Sequence, residues 1–86
     1  MSKQCGWWVY IIRSEVDGRL YTGISTDPER RVGEHNRGKR GAKATRRGRP
    51  WHLAYVEFLG DVSAALRRER AIKKLPRMKK LRLAGV

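Results

Sequence analysis

Five side chains in this sequence are of types that can cut phosphate esters, and they fall at ordered intervals. Tyr10 closes Trp8-Val9-Tyr10, and Tyr21 opens Tyr21-Thr22-Gly23 eleven residues later. Arg31 follows ten beyond that, His35 four further on, and Glu69 sits late in the chain. A guanidinium can hold a phosphate with two donors and bear the charge that grows on it during reaction. A carboxylate is a hard-oxygen ligand for Mg²⁺, which completes its shell with water and substrate oxygens. A phenol has an ordinary pKa of about 10, so it acts as a base at neutral pH only with cationic help. Together the set suggests metal-assisted attack of water on a phosphodiester.

Each residue also has a plainer reading. Glu69 could be salt-bridged to an arginine, and a single strand tyrosine is more often structural than catalytic. Arg31 could be a solvated helix charge, as Arg30 beside it is read. An isolated histidine such as His35 is commonly a surface residue. His52 fits no chemical pattern and is read as structural. Trp51 could stack on an unpaired base, although core packing is the commoner role.

The elements that must position these groups can be read in order. Trp7 to Arg13 is rich in aromatic and β-branched residues and predicts a strand. Val16-Asp17-Gly18 supplies turn chemistry, and Arg19 to Ile24 predicts the returning strand of a hairpin. Tyr10 and Tyr21 share a face whenever opposed residue numbers sum to an odd value. An Asp17-Gly18 turn meets that parity but leaves the phenols several positions apart. A turn shifted toward Val16 brings them onto a diagonal, and the sequence leaves both registers open.

Asp27-Pro28-Glu29 starts a helix, with Asp27 as N-cap, Pro28 at the first position and Glu29 complementing the dipole. The helix runs to about Arg37 and stops at Gly38, and its four-residue spacing puts Arg31 and His35 on one face. Trp51 to Leu59 alternates as a third strand after Pro50. Gly60-Asp61 breaks it, with Asp61 or Ser63 capping the next helix. There Val62, Ala65, Leu66, Ile72 and Leu75 form an apolar stripe that contains Glu69. Pro76 ends or kinks that helix, and Met78, Leu81 and Leu83 predict a short amphipathic tail.

Composition narrows the partners. The chain has 86 residues, one domain's worth, with a core of marginal size. Its 21 Lys and Arg against 8 Asp and Glu give a net charge of +13, which concentrates polyanions. Nucleic acid is the first partner to consider and an anionic membrane surface the second. Seven cations lie between residues 37 and 49: Arg37, Lys39, Arg40, Lys43, Arg46, Arg47 and Arg49. They are interleaved with glycine and show no period, so a loop that contacts the nucleic-acid backbone is expected. Cys5 is the only cysteine, which excludes an internal disulfide and a thiolate zinc site. The apolar run Trp7–Ile12 is too short to span a bilayer and lacks a signal peptide's features, and a cytoplasmic location is expected.

The two tyrosine triplets, the arginine with histidine four residues later, and the late glutamate resemble the GIY-YIG nuclease family. The resemblance covers roughly Trp7 to Leu83 and is strongest to small stand-alone bacterial members (UPF0213-like). It implies an α+β domain with a small three-stranded antiparallel sheet flanked by helices, spanning 1–86. It also implies a Mg²⁺- or Mn²⁺-dependent DNA endonuclease, with Tyr10, Tyr21, Arg31, His35 and Glu69 catalytic and Glu69 holding the metal. One phenol would deprotonate or orient the attacking water, with Tyr21 the preferred base. Lacking a second domain to read sequence, such an enzyme would select branched or nicked DNA, or be targeted by a partner protein, in repair or recombination. Three departures stand out: the first triplet lacks glycine, Thr22 replaces isoleucine, and the family's late asparagine is absent, Asn36 being the only asparagine. A non-catalytic nucleic-acid-binding module on the same fold is the competing expectation, and a ribosome-associated basic protein a third.

Overall fold

A computed structural model of the chain describes residues 5–38 and 43–85. It is an α+β fold with one antiparallel sheet of three strands: β1 (Trp7–Ser14), β2 (Leu20–Ser25) and β3 (Trp51–Gly60). β1 is central and pairs with both others, in the order β2-β1-β3. Three helices accompany the sheet: α1 (Pro28–Arg37), α2 (Val62–Lys73) and α3 (Arg77–Leu83). Each expected strand and helix forms, within one or two residues at the ends.

The caps act as their chemistry dictates. Asp27 Oδ1 accepts from the Arg30 amide at 3.2 Å, Pro28 opens α1, and Gly38 closes it in the left-handed region at φ 74°. Asp61, rather than Ser63, caps α2, accepting from the Ala64 amide at 3.1 Å. The hairpin turn resolves the open register. Tyr10 opposes Gly23 and Ile12 opposes Tyr21, so the turn is centred toward Val16 and the two phenols lie on a diagonal of one face.

That face is the side on which α1 packs, where Tyr10, Ile12 and Trp51 are buried with Tyr21, Val32 and Leu53 around them. On the other face Val9 and Ile11 pack with Ile72 of α2, joined by Leu20, Ile24, Tyr55, Leu59 and Leu83. β3 serves both faces because its pairing with β1 shifts between Ile11 and Ile12, where Tyr55 and Leu53 pair but Ala54 does not. An unpaired residue of this kind reverses the inside-outside phase of a strand. Leu53 therefore faces α1 and Tyr55 faces α2, which simple alternation from Trp51 to Leu59 does not give.

The α2 stripe is less buried than its pattern suggests. Ala65 and Ile72 are fully enclosed, whereas Val62 and Leu66 stay more than a third exposed. On the α2 side, Tyr55 Oη donates to Glu57 Oε1 at 2.8 Å and Arg68 Nε donates to the same oxygen at 2.9 Å, tying β3 to the helix.

α1 is locked to β3 by Asn36. Its Oδ1 accepts from the Trp51 amide at 2.6 Å and its Nδ2 donates to the Trp51 carbonyl at 2.8 Å. Two partly buried backbone groups are thus satisfied by one side chain. Replacing Asn36 with Ala should destabilise the fold by about 2 kcal/mol in urea unfolding, because both groups lose their partner. A change within about 0.3 kcal/mol would show that the clamp contributes nothing.

Candidate active site

Tyr10 is the hub of the site. The period-two alternation of β1 turns it toward α1, where it is 1% exposed. Its ring lies directly on Gly23 of the neighbouring strand: a Cβ built at residue 23 would stand 2.6 Å from Tyr10 Oη and 2.8 Å from Cζ. No larger residue than glycine leaves room there. The glycine of Tyr21-Thr22-Gly23 is therefore explained by packing under the other tyrosine, not by an unusual backbone angle.

The cap at Asp27 sets the phase of α1, and four-residue spacing then directs both Arg31 and His35 at the sheet. His35 is completely buried, with Nε2 2.9 Å from Tyr10 Oη and Nδ1 2.8 Å from Thr45 Oγ1. The Tyr21 ring meets the His35 ring edge-on, centroids 5.3 Å apart. Arg31 lies within hydrogen-bonding reach of the Tyr10 phenol, and its Nη1 also donates to Glu34 Oε1 at 3.0 Å. Tyr10, Tyr21, Arg31 and His35 are thus brought into one cluster.

Burial, then the Tyr21 phenol, push Tyr10 up to about 12 against the pull of the Arg31 guanidinium. The weakest upward push comes from the carboxylate of Glu69, which lies on α2, the helix packed on the opposite face of the sheet. His35 is driven down to about 4, first by burial and then by the Arg31 charge, so its ring is neutral at pH 7. A neutral imidazole has one bare nitrogen, which can accept the proton of a phenol.

Among the described residues Glu69 is not locked to an arginine. Its Oε2 pairs with Lys73 Nζ at 3.2 Å, one turn along α2, with 17% of the Glu69 side chain exposed and 52% of the Lys73 side chain. A pair with so exposed a partner is weak and readily exchanged. Among the described residues no three His, Cys, Asp or Glu side chains converge. The donor set therefore fits a cation that takes one carboxylate and fills its shell with water and phosphate oxygens, as Mg²⁺ does, and does not fit zinc.

The cationic segment beside the site has more internal structure than its composition suggests. Lys39 and Arg40 lie outside the described residues. Lys43 to Thr45 form a short 3₁₀ turn, and Lys43, Arg46 and Arg47 are exposed around it. Arg49, by contrast, donates to the Asn36 and Arg46 carbonyls at 3.3 and 3.2 Å. Arg37 folds back over Gly33 of its own helix. Trp51 is 3% exposed and donates from Nε1 to the Thr45 carbonyl at 3.1 Å, so it is a core residue and not a base-stacking platform. His52 pairs with Glu15 at 3.7 Å on the surface, away from the cluster. Sequence reasoning missed Thr45, Asn36 and the packing role of Gly23. Only the absence of a side chain at Gly23, opposite a tyrosine in the diagonal register, offered a signal.

A sequence model of the GIY-YIG catalytic domain matches residues 6–82. The chain belongs to the GIY-YIG family. Curated UPF0213 proteins of Staphylococcus aureus, strains Mu50 and N315 among them, are 51% identical over 76 residues, covering 88% of this chain and 90% of theirs. The solution NMR structure of a UPF0213 protein from Bacillus halodurans is similar, with a TM-score of 0.57 and 38% identity over 92% of this chain and 82% of that one. GIY-YIG domains are nuclease domains, generally metal-dependent, with DNA as substrate. Among the described residues no helix is long and apolar enough to cross a membrane.

Two measurements check the site. Because native His35 binds its proton near pH 4 and an unfolded histidine near 6.5, the unfolded state holds more protons between those values. Stability is therefore full above pH 6.5 and falls as the pH drops through that window. Between 6.5 and 4.5 this precedes any loss from Glu57 or Asp17, whose carboxyls are held below their ordinary values. Urea unfolding at pH 7 and 4.5 should show a clear loss in the native protein and a smaller one in His35→Gln; equal losses would contradict the buried neutral ring. In Gly23→Ala the added methyl should displace Tyr10 and cost about 1–3 kcal/mol of stability. A neutral effect would mean that the ring does not rest on the glycine.

Proposed function

We propose that this GIY-YIG protein is a Mg²⁺-dependent endonuclease that hydrolyses DNA phosphodiesters, with Tyr10, Tyr21, Arg31, His35 and Glu69 forming its active site. The observation that carries this reading is the hub at Tyr10. One phenol is bonded to His35, held by Arg31, diagonal to Tyr21, and within the field of the late carboxylate.

Tyr21 is the base that orients and deprotonates the attacking water. It is half-buried, whereas Tyr10 is sealed from solvent, committed to His35 and Arg31, and holds its proton up to about pH 12. A base must reach the water it activates. Tyr10 and His35 form the rigid floor against which Tyr21 is set. Arg31, less enclosed than His35, turns its donors from Glu34 to the scissile phosphate and bears the charge that develops there. Glu69 would hold the divalent ion, its pairing with the half-exposed Lys73 being weak enough to exchange. When bound there, the ion supplies Lewis-acid polarisation of the phosphate and stabilisation of the leaving oxygen.

Exposed Lys43, Arg46 and Arg47 contact the DNA backbone, with Lys39 and Arg40 of the same segment, and position it without reading bases. Selectivity then comes from DNA shape, such as branches, flaps or nicks, or from a partner protein, as suits repair or recombination. The +13 charge predicts affinity that falls steeply with salt.

The test is cleavage of branched and linear duplexes by the purified protein with Mg²⁺ or Mn²⁺. Cleavage should be metal-dependent and faster on the branched substrate. Arg31→Ala should lose about 10²–10³-fold in kcat, as for other single charge-stabilising donors, and Glu69→Gln at least as much. Nicking that persists unchanged in Glu69→Gln would remove the metal assignment. Tight DNA binding with no cleavage under any divalent metal would replace the proposal with a non-catalytic binding module.

A further inference from the structure

Thr45 is out of character with its surroundings. It sits among exposed Lys43, Ala44, Arg46 and Arg47, yet it is 1% exposed and reaches His35 Nδ1 at 2.8 Å. Its backbone is fixed from two directions: Trp51 Nε1 donates to the Thr45 carbonyl at 3.1 Å, and the 3₁₀ turn is closed by the Arg46 amide on the Lys43 carbonyl at 3.2 Å. A buried hydroxyl held this firmly against an imidazole nitrogen fixes the ring's orientation, and it can either take or give the proton there, so the tautomer is decided on the ring's other side.

The direction of the proton follows from Tyr10. A buried phenol must donate its hydrogen to something, and a guanidinium has no acceptor to offer. Among the described residues, the acceptor within bonding distance of Tyr10 Oη is His35 Nε2, at 2.9 Å. The Arg31 guanidinium, whose charge is felt at the same oxygen, can only donate. Nε2 is then the bare nitrogen and Nδ1 carries the hydrogen, which it donates to Thr45 Oγ1. The reverse arrangement would give Tyr10 two donors and leave its own hydrogen facing one of them.

We infer that Thr45 is a positioning residue that fixes the ring orientation of His35 and accepts its Nδ1–H, so that Nε2 stands open to Tyr10. The role rests on the nuclease reading for its catalytic consequence but not for its structural one. It also joins two parts of the molecule: the segment that presents Lys43, Arg46 and Arg47 to a polyanion carries the group that orders the buried Tyr10–His35 pair. DNA held by those cations therefore bears on a backbone one or two residues from Thr45.

The experiment records the imidazole nitrogen shifts of His35 at pH 7 by long-range proton–nitrogen NMR in the native chain, Thr45→Ser and Thr45→Val. Native protein and Thr45→Ser should show a protonated Nδ1 and a bare Nε2. Thr45→Val keeps the volume but removes the acceptor, so the signals should move toward the Nε2–H tautomer or an averaged pair. In cleavage assays Thr45→Val should lower kcat about 10–100-fold, by analogy with loss of the outer partner of a metal-bound histidine, with KM for DNA little changed. Thr45→Ser should restore the rate to within about threefold of native. A native His35 carrying its hydrogen on Nε2, or a Thr45→Val spectrum identical to native, would overturn the inference. The native spectrum alone overturns the inference if Nδ1 is bare, and if Thr45→Val fails to fold, Thr45→Ala supplies the same comparison. The expected spectra in a protein that cuts no DNA would retain Thr45's role and remove only the nuclease reading.

Discussion

The burial of one phenol constrains most of what this small protein does. Tyr10 is placed inside by the alternation of β1, its ring requires a residue without a side chain on the facing strand, and its hydroxyl requires partners. Gly23 meets the first need, His35 and Arg31 the second. To deliver His35, α1 must cross the sheet at one depth and one rotation, and Asn36 sets both by clamping the next residue along to β3. To satisfy the far side of His35, the cationic segment must tuck Thr45 inward. A single desolvated hydroxyl thus propagates constraints into two strands, a helix and a loop.

The two sides of the sheet do different work. The α2 side holds the aliphatic packing around Val9, Ile11 and Ile72, with the Tyr55–Glu57–Arg68 group at its margin. The α1 side trades part of its apolar packing for a polar cluster. In a chain this short such an exchange is costly, since little core is available to offset it. The bulge at Ala54 eases the problem by letting one strand supply large side chains to both layers.

Much of this was legible in the sequence, and for identifiable reasons. Asp27-Pro28-Glu29 and Gly38 mark α1 because capping is local chemistry, and the four-residue step from Arg31 to His35 follows from helix geometry alone. The shared face of the two phenols followed from parity, but the turn register did not, since either centring satisfies the alternation. The phase reversal in β3 was invisible, because Ala54 is compatible with a regular strand. Thr45 and Asn36 could not be singled out, because their partners, His35 and the Trp51 backbone, are brought near only by the fold. Glu69 stood out as an acid on an apolar stripe. The plain reading paired it with an arginine, whereas the structure pairs it with Lys73, one turn along the same helix, a spacing the sequence itself contains.

The segment from Lys43 to Pro50 is anchored at nearly every step. Ser14 Oγ donates to the Gly48 carbonyl at 2.6 Å, Arg19 Nη2 to the Arg47 carbonyl at 2.7 Å, and the Glu15 amide to the Pro50 carbonyl at 2.9 Å. The Arg19 guanidinium meanwhile rests 5.6 Å from the Trp51 ring centroid. A scaffold of this kind is preorganised, so capturing a polyanion does not require freezing this stretch of main chain. Only the side-chain rotors of Lys43, Arg46 and Arg47 remain to be immobilised, at about 0.5–1.5 kcal/mol apiece. Most of the ordering entropy has already been spent during folding.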